Sequence, residues 1–130
     1  MKGTKPILLA IIAALILKLF FFDFIATQGH SMEPSIPSGT ILVISRLRYG
    51  IRLPWLQNYL IRWAQPKVGE VVVFYTPMGE LAVKRVTAIE LDNSQTARFY
   101  AEGDNGLASY DSRAYGWVPV ENIIGKILGY

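Results

Sequence analysis

Hydrophobic and polar positions alternate differently in three parts of the chain. Residues 7–27 (ILLAIIAALILKLFFFDFIAT) are almost continuously apolar, interrupted by Lys18 and Asp23. As one helix these 21 residues would be about 31 Å long at ~1.5 Å per residue, the thickness of a bilayer core. The unbroken run, Ile7 to Leu17, is only 11 residues, and a short apolar run behind a basic start also marks a cleaved signal peptide. Phe24-Ile25-Ala26-Thr27-Gln28 contains no small-x-small cleavage pattern, so the segment reads as an uncleaved transmembrane anchor. Lys18 and Asp23 would snorkel, face a partner or sit near the far interface. Lys2 and Lys5 precede the span. Excess positive charge stays inside, which puts residues 1–6 in the cytoplasm and residues 28–130 on the outer side of the cell membrane.

Beyond the anchor the period changes to that of strands. Thr40-Ile41-Leu42-Val43-Ile44-Ser45 opens after Pro37-Ser38-Gly39, and Glu70-Val71-Val72-Val73-Phe74-Tyr75 lies between Gly69 and Pro77. Leu81 to Leu91 and Ala97 to Ala101 flank the polar turn Asp92-Asn93-Ser94-Gln95 and predict a hairpin. Gly116 to Val120 and Ile123 to Leu128 supply late strands. No useful amphipathic helix follows residue 67. The fold class is therefore mostly β: one N-terminal transmembrane helix and a compact β-domain, a sandwich or partly closed barrel.

Residues 46–67 interrupt this pattern. They hold Arg46, Arg48, Arg52, Arg62 and Lys67 and no acid, together with Trp55, Tyr59 and Trp63. A short helix starting at Pro54 would bring the three aromatics onto one face. Two readings stand: an insertion whose aromatic stripe covers the β-core, or a basic aromatic surface that touches lipid headgroups.

Composition narrows the chemistry. With 130 residues there is room for one sizeable domain, and without cysteine there is no disulfide, thiol nucleophile or thiolate metal site. A single histidine argues against a multi-histidine metal centre. Net charge is +3, most of it before residue 28, too little on the folded part for a nucleic-acid binder. His30 adjoins Ser31, but neighbours in an extended segment point to opposite faces, so His30 is badly placed as its base. A neutral lysine is the other established activator of a serine. Its ordinary pKa of about 10.4 must fall by ~3 units, which burial supplies. Lys84, within Leu81-Ala82-Val83-Lys84-Arg85-Val86, has the apolar neighbourhood; an exposed strand lysine is the bland alternative.

Gly29-His30-Ser31-Met32-Glu33-Pro34-Ser35-Ile36 resembles the nucleophile box of type I signal peptidases, whose core is Ser-Met-x-Pro-Thr/Ser. Three further stretches are similar to that family's boxes and come in its order: Gly69 to Phe74; Val83-Lys84-Arg85-Val86, with Lys84 53 residues after Ser31; and Gly103-Asp104-Asn105 with Ser109-Tyr110-Asp111-Ser112-Arg113. The resemblance implies that Ser31 is the acylating nucleophile and Lys84 its general base. It implies that Ser109 orients the Lys84 amine and that Asp111 and Arg113 form a structural ion pair. Gly103-Asp104-Asn105 would shape a turn, and ordinary turn chemistry explains Asp104 and Asn105 as well as catalysis does. Where some members carry a serine that binds the oxyanion, this chain has Gly29, so the hole would rest on backbone N–H groups around Gly29 and Ser31.

The family further implies an endopeptidase that cuts signal peptides with small residues at the first and third positions before the cut. Met32, Ile36 and Val83 are candidates for its substrate pockets. Preproteins and membrane lipid are the expected partners, and no metal, cofactor or nucleic acid is expected. A non-catalytic anchored β-domain that binds protein or lipid is the competing reading. A self-cleaving Ser–Lys repressor is another, but would carry a helical DNA-binding domain instead of an apolar anchor.

Overall fold

The computed structural model describes residues 3–53, 55, 56 and 58–130. Lys2 and Pro54, both used in the sequence reading, lie outside the described residues. In chain order the elements are α1 (Thr4–Phe20), β1 (Phe22–Ala26), β2 (Ile41–Ser45), β3 (Gly50–Ile51), β4 (Ile61–Arg62), β5 (Val71–Tyr75), β6 (Leu81–Leu91), β7 (Ala97–Glu102), α2 (Ser112–Tyr115), β8 (Val118–Pro119) and β9 (Ile123–Ile127).

The expected 21-residue span is corrected by this order. The helix ends at Phe20 after 17 residues, about 25 Å at ~1.5 Å per residue. Among the described residues no helix is long and apolar enough to cross a membrane. The rest of the run is strand: Phe22 to Ala26 pairs antiparallel with Ser45 to Ile41. Asp23, a poor residue for a bilayer, instead faces Arg46 at 3.5 Å.

Seven strands form one curled antiparallel sheet in the order β1-β2-β9-β5-β6-β7-β8, and β3-β4 is a small separate ladder. The domain is thus one curled sheet with a core on each side of its centre, not two sheets face to face. β5 sits in its middle. Val72 and Phe74 pack on one side with Tyr49, Val86, Phe99 and Val118. Val71 and Val73 pack on the other with Met32, Ile36, Leu42 and Ile44. This is why β5 reads as an unbroken apolar run instead of alternating. Opposite it, β9 carries a bulge: Val73 pairs with Gly125 but Phe74 with Ile123. The extra residue puts Ile123 and Ile127 in opposite cores, though four-residue spacing along a regular strand would place them together.

Strand expectations hold well in the centre. β6 has the expected bounds, and β2, β5, β7 and β9 differ by a residue at one end. The expected strand at 116–120 shrinks to Val118–Pro119, because Gly116 ends α2 at φ +83°. Between β2 and β5, the expected helix with an aromatic stripe is absent among the described residues. Gly50 and Ile51 pair with Arg62 and Ile61 instead. Tyr59 packs against the core, whereas Trp55 and Trp63 are exposed. The bases there mostly meet acids from elsewhere: Arg48 with Glu70 and Arg62 with Glu121.

Candidate active site

Ser31 lies in the loop that joins β1 to β2. The loop is closed at its base by Thr27 N to Thr40 O and Gly39 N to Thr27 O, at 2.9 and 2.8 Å. Two side chains that flank the turn anchor it: Met32 and Ile36 are both buried in the core beside Val71 and Val73. Gly29, two residues before Ser31, has φ +79°, a conformation that glycine adopts at little cost. His30 turns away, with Nδ1 2.6 Å from Glu33 Oε1 and its side chain mostly in solvent.

Lys84 comes from the middle of the sheet, on β6 opposite Val72 of β5. It is only 6% exposed, the one buried lysine among the described residues. Burial is the main influence on its amine and lowers the pKa; Asp111 pushes back and Arg113 lowers it further. Ser31 and Lys84 line the same cavity of about 350 Å³, whose walls also include Gly29, Met32, Ile36 and Val83. All three apolar pocket candidates thus face the space that the serine and lysine share.

The segment after β7 ties these two pieces together. Asn105 donates its backbone N–H to the Ser31 carbonyl at 2.8 Å and its side-chain amide to the His30 carbonyl at 3.1 Å. Asp104 accepts two bonds from Arg85, each 2.9 Å, and Arg85 is the residue after Lys84. The pairing holds the Asp104 carboxyl below its ordinary range. Gly103 is wedged: a Cβ there would lie 2.2 Å from Ser109 Oγ and 2.5 Å from the Ser31 carbonyl oxygen. Asp104 and Asn105 are therefore more than turn formers. The sequence signal was their place in the last box, but the partners of both are over 18 residues away and only the fold discloses them.

Behind this clamp sits Asp111, 1% exposed. Burial alone would raise its pKa. Bonds from Arg113, Ser109 and the Gly103 N–H together overcome that and hold the carboxyl far below the usual range. Arg113 closes the ion pair, with Nε 3.0 Å from Oδ1 and Nη2 2.6 Å from Oδ2. The Ser109 hydroxyl donates to Asp111 Oδ2 at 2.5 Å. Its oxygen keeps lone pairs that can accept from another donor.

A buried amine with lowered pKa that lines the same cleft as a serine is an arrangement suited to acyl transfer. Comparison with known proteins agrees. The family model "Signal peptidase, peptidase S26" matches residues 1–95, which include both Ser31 and Lys84. The chain is 25% identical to Signal peptidase I of Bacillus caldolyticus, over 97% of this chain and 88% of that protein. It is 25% identical to the probable signal peptidase I-1 of Synechocystis, over 98% of this chain and 80% of the relative. It is 32% identical to Signal peptidase I of Haemophilus influenzae over 85% of this chain, but spans only 29% of that longer protein. The chain belongs to the signal peptidase family, peptidase S26, and is a serine endopeptidase of the type I signal peptidase kind.

Proposed function

We propose that the chain is a membrane-anchored endopeptidase that removes signal peptides from exported preproteins through a Ser31–Lys84 acyl-enzyme. The observation that carries this reading is one cavity lined by both side chains, with the amine buried and its pKa lowered. Neutral Lys84 Nζ takes the Ser31 proton as Oγ attacks the scissile carbonyl. Backbone N–H groups around Gly29 and Ser31 hold the oxyanion. The tetrahedral intermediate collapses, the new N-terminus leaves with the proton from Lys84, and the signal peptide stays esterified to Ser31. Lys84 then deprotonates a water, which hydrolyses the ester. Ser109, whose own proton goes to Asp111, accepts from the Lys84 amine and aims it.

The substrate lies extended. β1 is an end strand of the sheet, so its outer edge offers backbone groups to a preprotein strand. Met32, Ile36 and Val83 leave space for small side chains at the first and third positions before the cut.

Anchoring rests on α1. Between Lys5 and Lys18 it is apolar on every side, and Ile7, Leu8, Leu9, Ile11 and Leu15 are exposed, as in a helix meant for an apolar solvent. At its foot Phe22, Phe24 and Ile41 are exposed on one face of β1-β2, which extends the apolar surface to the lipid boundary. Lys5, in the first turn of α1, favours the cytoplasmic side for the N-terminus and the outer side for the β-domain.

The test is cleavage of a preprotein in detergent by the full chain and by Ser31→Ala and Lys84→Ala. Both variants should be inactive while still folded by circular dichroism. Activity retained in either one overturns the dyad.

A further inference from the structure

A second cavity, about 460 Å³, is lined by none of the active-site residues. Its walls include Arg46, Arg52, Trp55, Tyr75 and Asn122, and no carboxylate among the described residues. Arg52 is the unusual member. It is 9% exposed, and its hydrogen bonds go only to neutral acceptors: Nε to Leu56 O at 3.2 Å, and Nη1 to the carbonyls of Glu121 and Ile123 at 2.9 and 3.0 Å. Its guanidinium carbon lies 5.8 Å from the ring centres of both Tyr59 and Tyr75. No carboxylate pairs with it, and Nη2 has no acceptor among the described residues. Glu121, the acid that acts on Arg52 electrostatically, has its carboxylate bonded to Tyr59 N and Arg62.

Burying a cation without a counter-charge is costly. Burial pulls the Arg52 pKa down and Arg46 adds to it, while the two tyrosines and, more weakly, Glu121 oppose this. Arg46 brings a second guanidinium to the same wall, with the half-exposed Asp23 3.5 Å away as its acid. Two guanidiniums and one solvated carboxylate leave the cavity positive, and an entering anion would supply what Arg52 lacks.

We propose that this cavity binds a phosphoryl anion, presented as a phospholipid headgroup. Guanidinium forks match phosphate oxygens in geometry as well as charge. The headgroup source follows from where the wall is fixed. Arg46 donates its N–H to Phe21 O at 2.9 Å, and Phe21 caps α1 through Leu17 O. The arginine therefore sits where the apolar helix meets the β-domain, and exposed Trp55 stands beside it, a residue favoured at the headgroup level. Only this choice of source rests on the anchored reading above; the anion site does not.

The experiment is calorimetric titration of the full chain in neutral detergent micelles with dihexanoyl-phosphatidylglycerol, inorganic phosphate and phosphate-free dihexanoylglycerol. The phosphatidylglycerol should bind and the glycerol lipid should not. Arg46→Gln should weaken binding about tenfold or more, the effect of losing one charged hydrogen-bonding partner. Arg52→Lys, which keeps the charge if Arg52→Gln fails to fold, should weaken it too. Inorganic phosphate binding as tightly as the lipid supports the site with free phosphate as its ligand; weaker binding supports the headgroup. Equal affinity for the two lipids, or unchanged binding in both arginine variants, overturns the site. Ser31→Ala should bind phosphatidylglycerol like the wild type, so loss of peptidase activity and loss of the anion site are read separately.

Discussion

Asn105 bonds to the backbone of Ser31, and its neighbour Asp104 bonds to the side chain of Arg85, next to Lys84. The nucleophile rides on a loop and the base on a strand 53 residues later. Nothing in the sheet ladder fixes their separation. The segment 103–105 does so: Asn105 is bonded to the loop, Asp104 to the strand, and Gly103 packs against the Ser31 carbonyl.

Asp104→Ala should therefore cost activity beyond what it costs in stability. Its ion pair is partly exposed, so the loss of stability should be about 1–2 kcal/mol, below the full value of a buried charged pair. Turnover should fall by about tenfold or more, since a misplacement of ~1 Å can cost far more than a bond's energy. Cleavage measured well below the unfolding temperature separates the two effects, and Asp104→Glu should recover part of the rate. Activity that simply tracks the folded fraction would deny the clamp.

Gly103→Ala tests the same device by sterics. The new methyl would overlap Ser109 Oγ and the Ser31 carbonyl, one of which is backbone and cannot rotate away. Overpacking of this kind costs about 1–3 kcal/mol. The expected result is a folded protein with a lower unfolding temperature and cleavage reduced by about 10²-fold. Near wild-type cleavage would mean that the loop yields without disturbing the nucleophile.

Much of this was legible in the residues because local and tertiary preferences agree there. β6 begins and ends as expected because its alternation is closed by the turn at Asp92, whose carboxylate accepts from the amides of Ser94 and Thr96. Lys84 stood out by its apolar neighbourhood, and Ser31 by the resemblance of its box to a nucleophile box. The boundary at Phe21 did not, since a lipid-facing helix and a paired edge strand are both apolar; Phe22 to Ala26 is strand because β2 lies beside it. Trp55, Tyr59 and Trp63 mislead for a similar reason. Their four-residue spacing suits a helix, but pairing of Gly50 with Arg62 bends the chain into a ribbon. The basic stretch looked unopposed because Asp23, Glu70 and Glu121, which answer it, are distant in sequence.

Asp111 should make the domain acid-labile. Its depressed folded pKa means that its contribution to stability is complete above the ordinary carboxylate range near pH ~4 and is lost as pH falls below it. Asp111→Ala removes the acceptor for Gly103 N, Ser109 and Arg113 together, a loss of about 3 kcal/mol at neutral pH. Urea unfolding of wild type and variant should then converge as pH is lowered. Parallel curves down to pH ~2 would show that Asp111 does not carry the linkage.

Lys84 should show the opposite behaviour, a functional residue that the fold tolerates at a cost. Its folded pKa lies below the ordinary 10.5 because burial disfavours the ammonium. Between these two values the unfolded chain binds more protons, so this group's penalty is full at low pH and is relieved as pH rises. Lys84→Met keeps the volume and removes the charge. At neutral pH the variant should be at least as stable as wild type, and the difference should shrink toward pH ~10. Cleavage, by contrast, should vanish in the variant, and in the wild type it should rise with pH as neutral amine accumulates. Thermal unfolding and cleavage rates across the same pH series give both readouts. A variant less stable than wild type at every pH, or a wild-type rate indifferent to pH, would mean that Lys84 is not held neutral for the sake of Ser31.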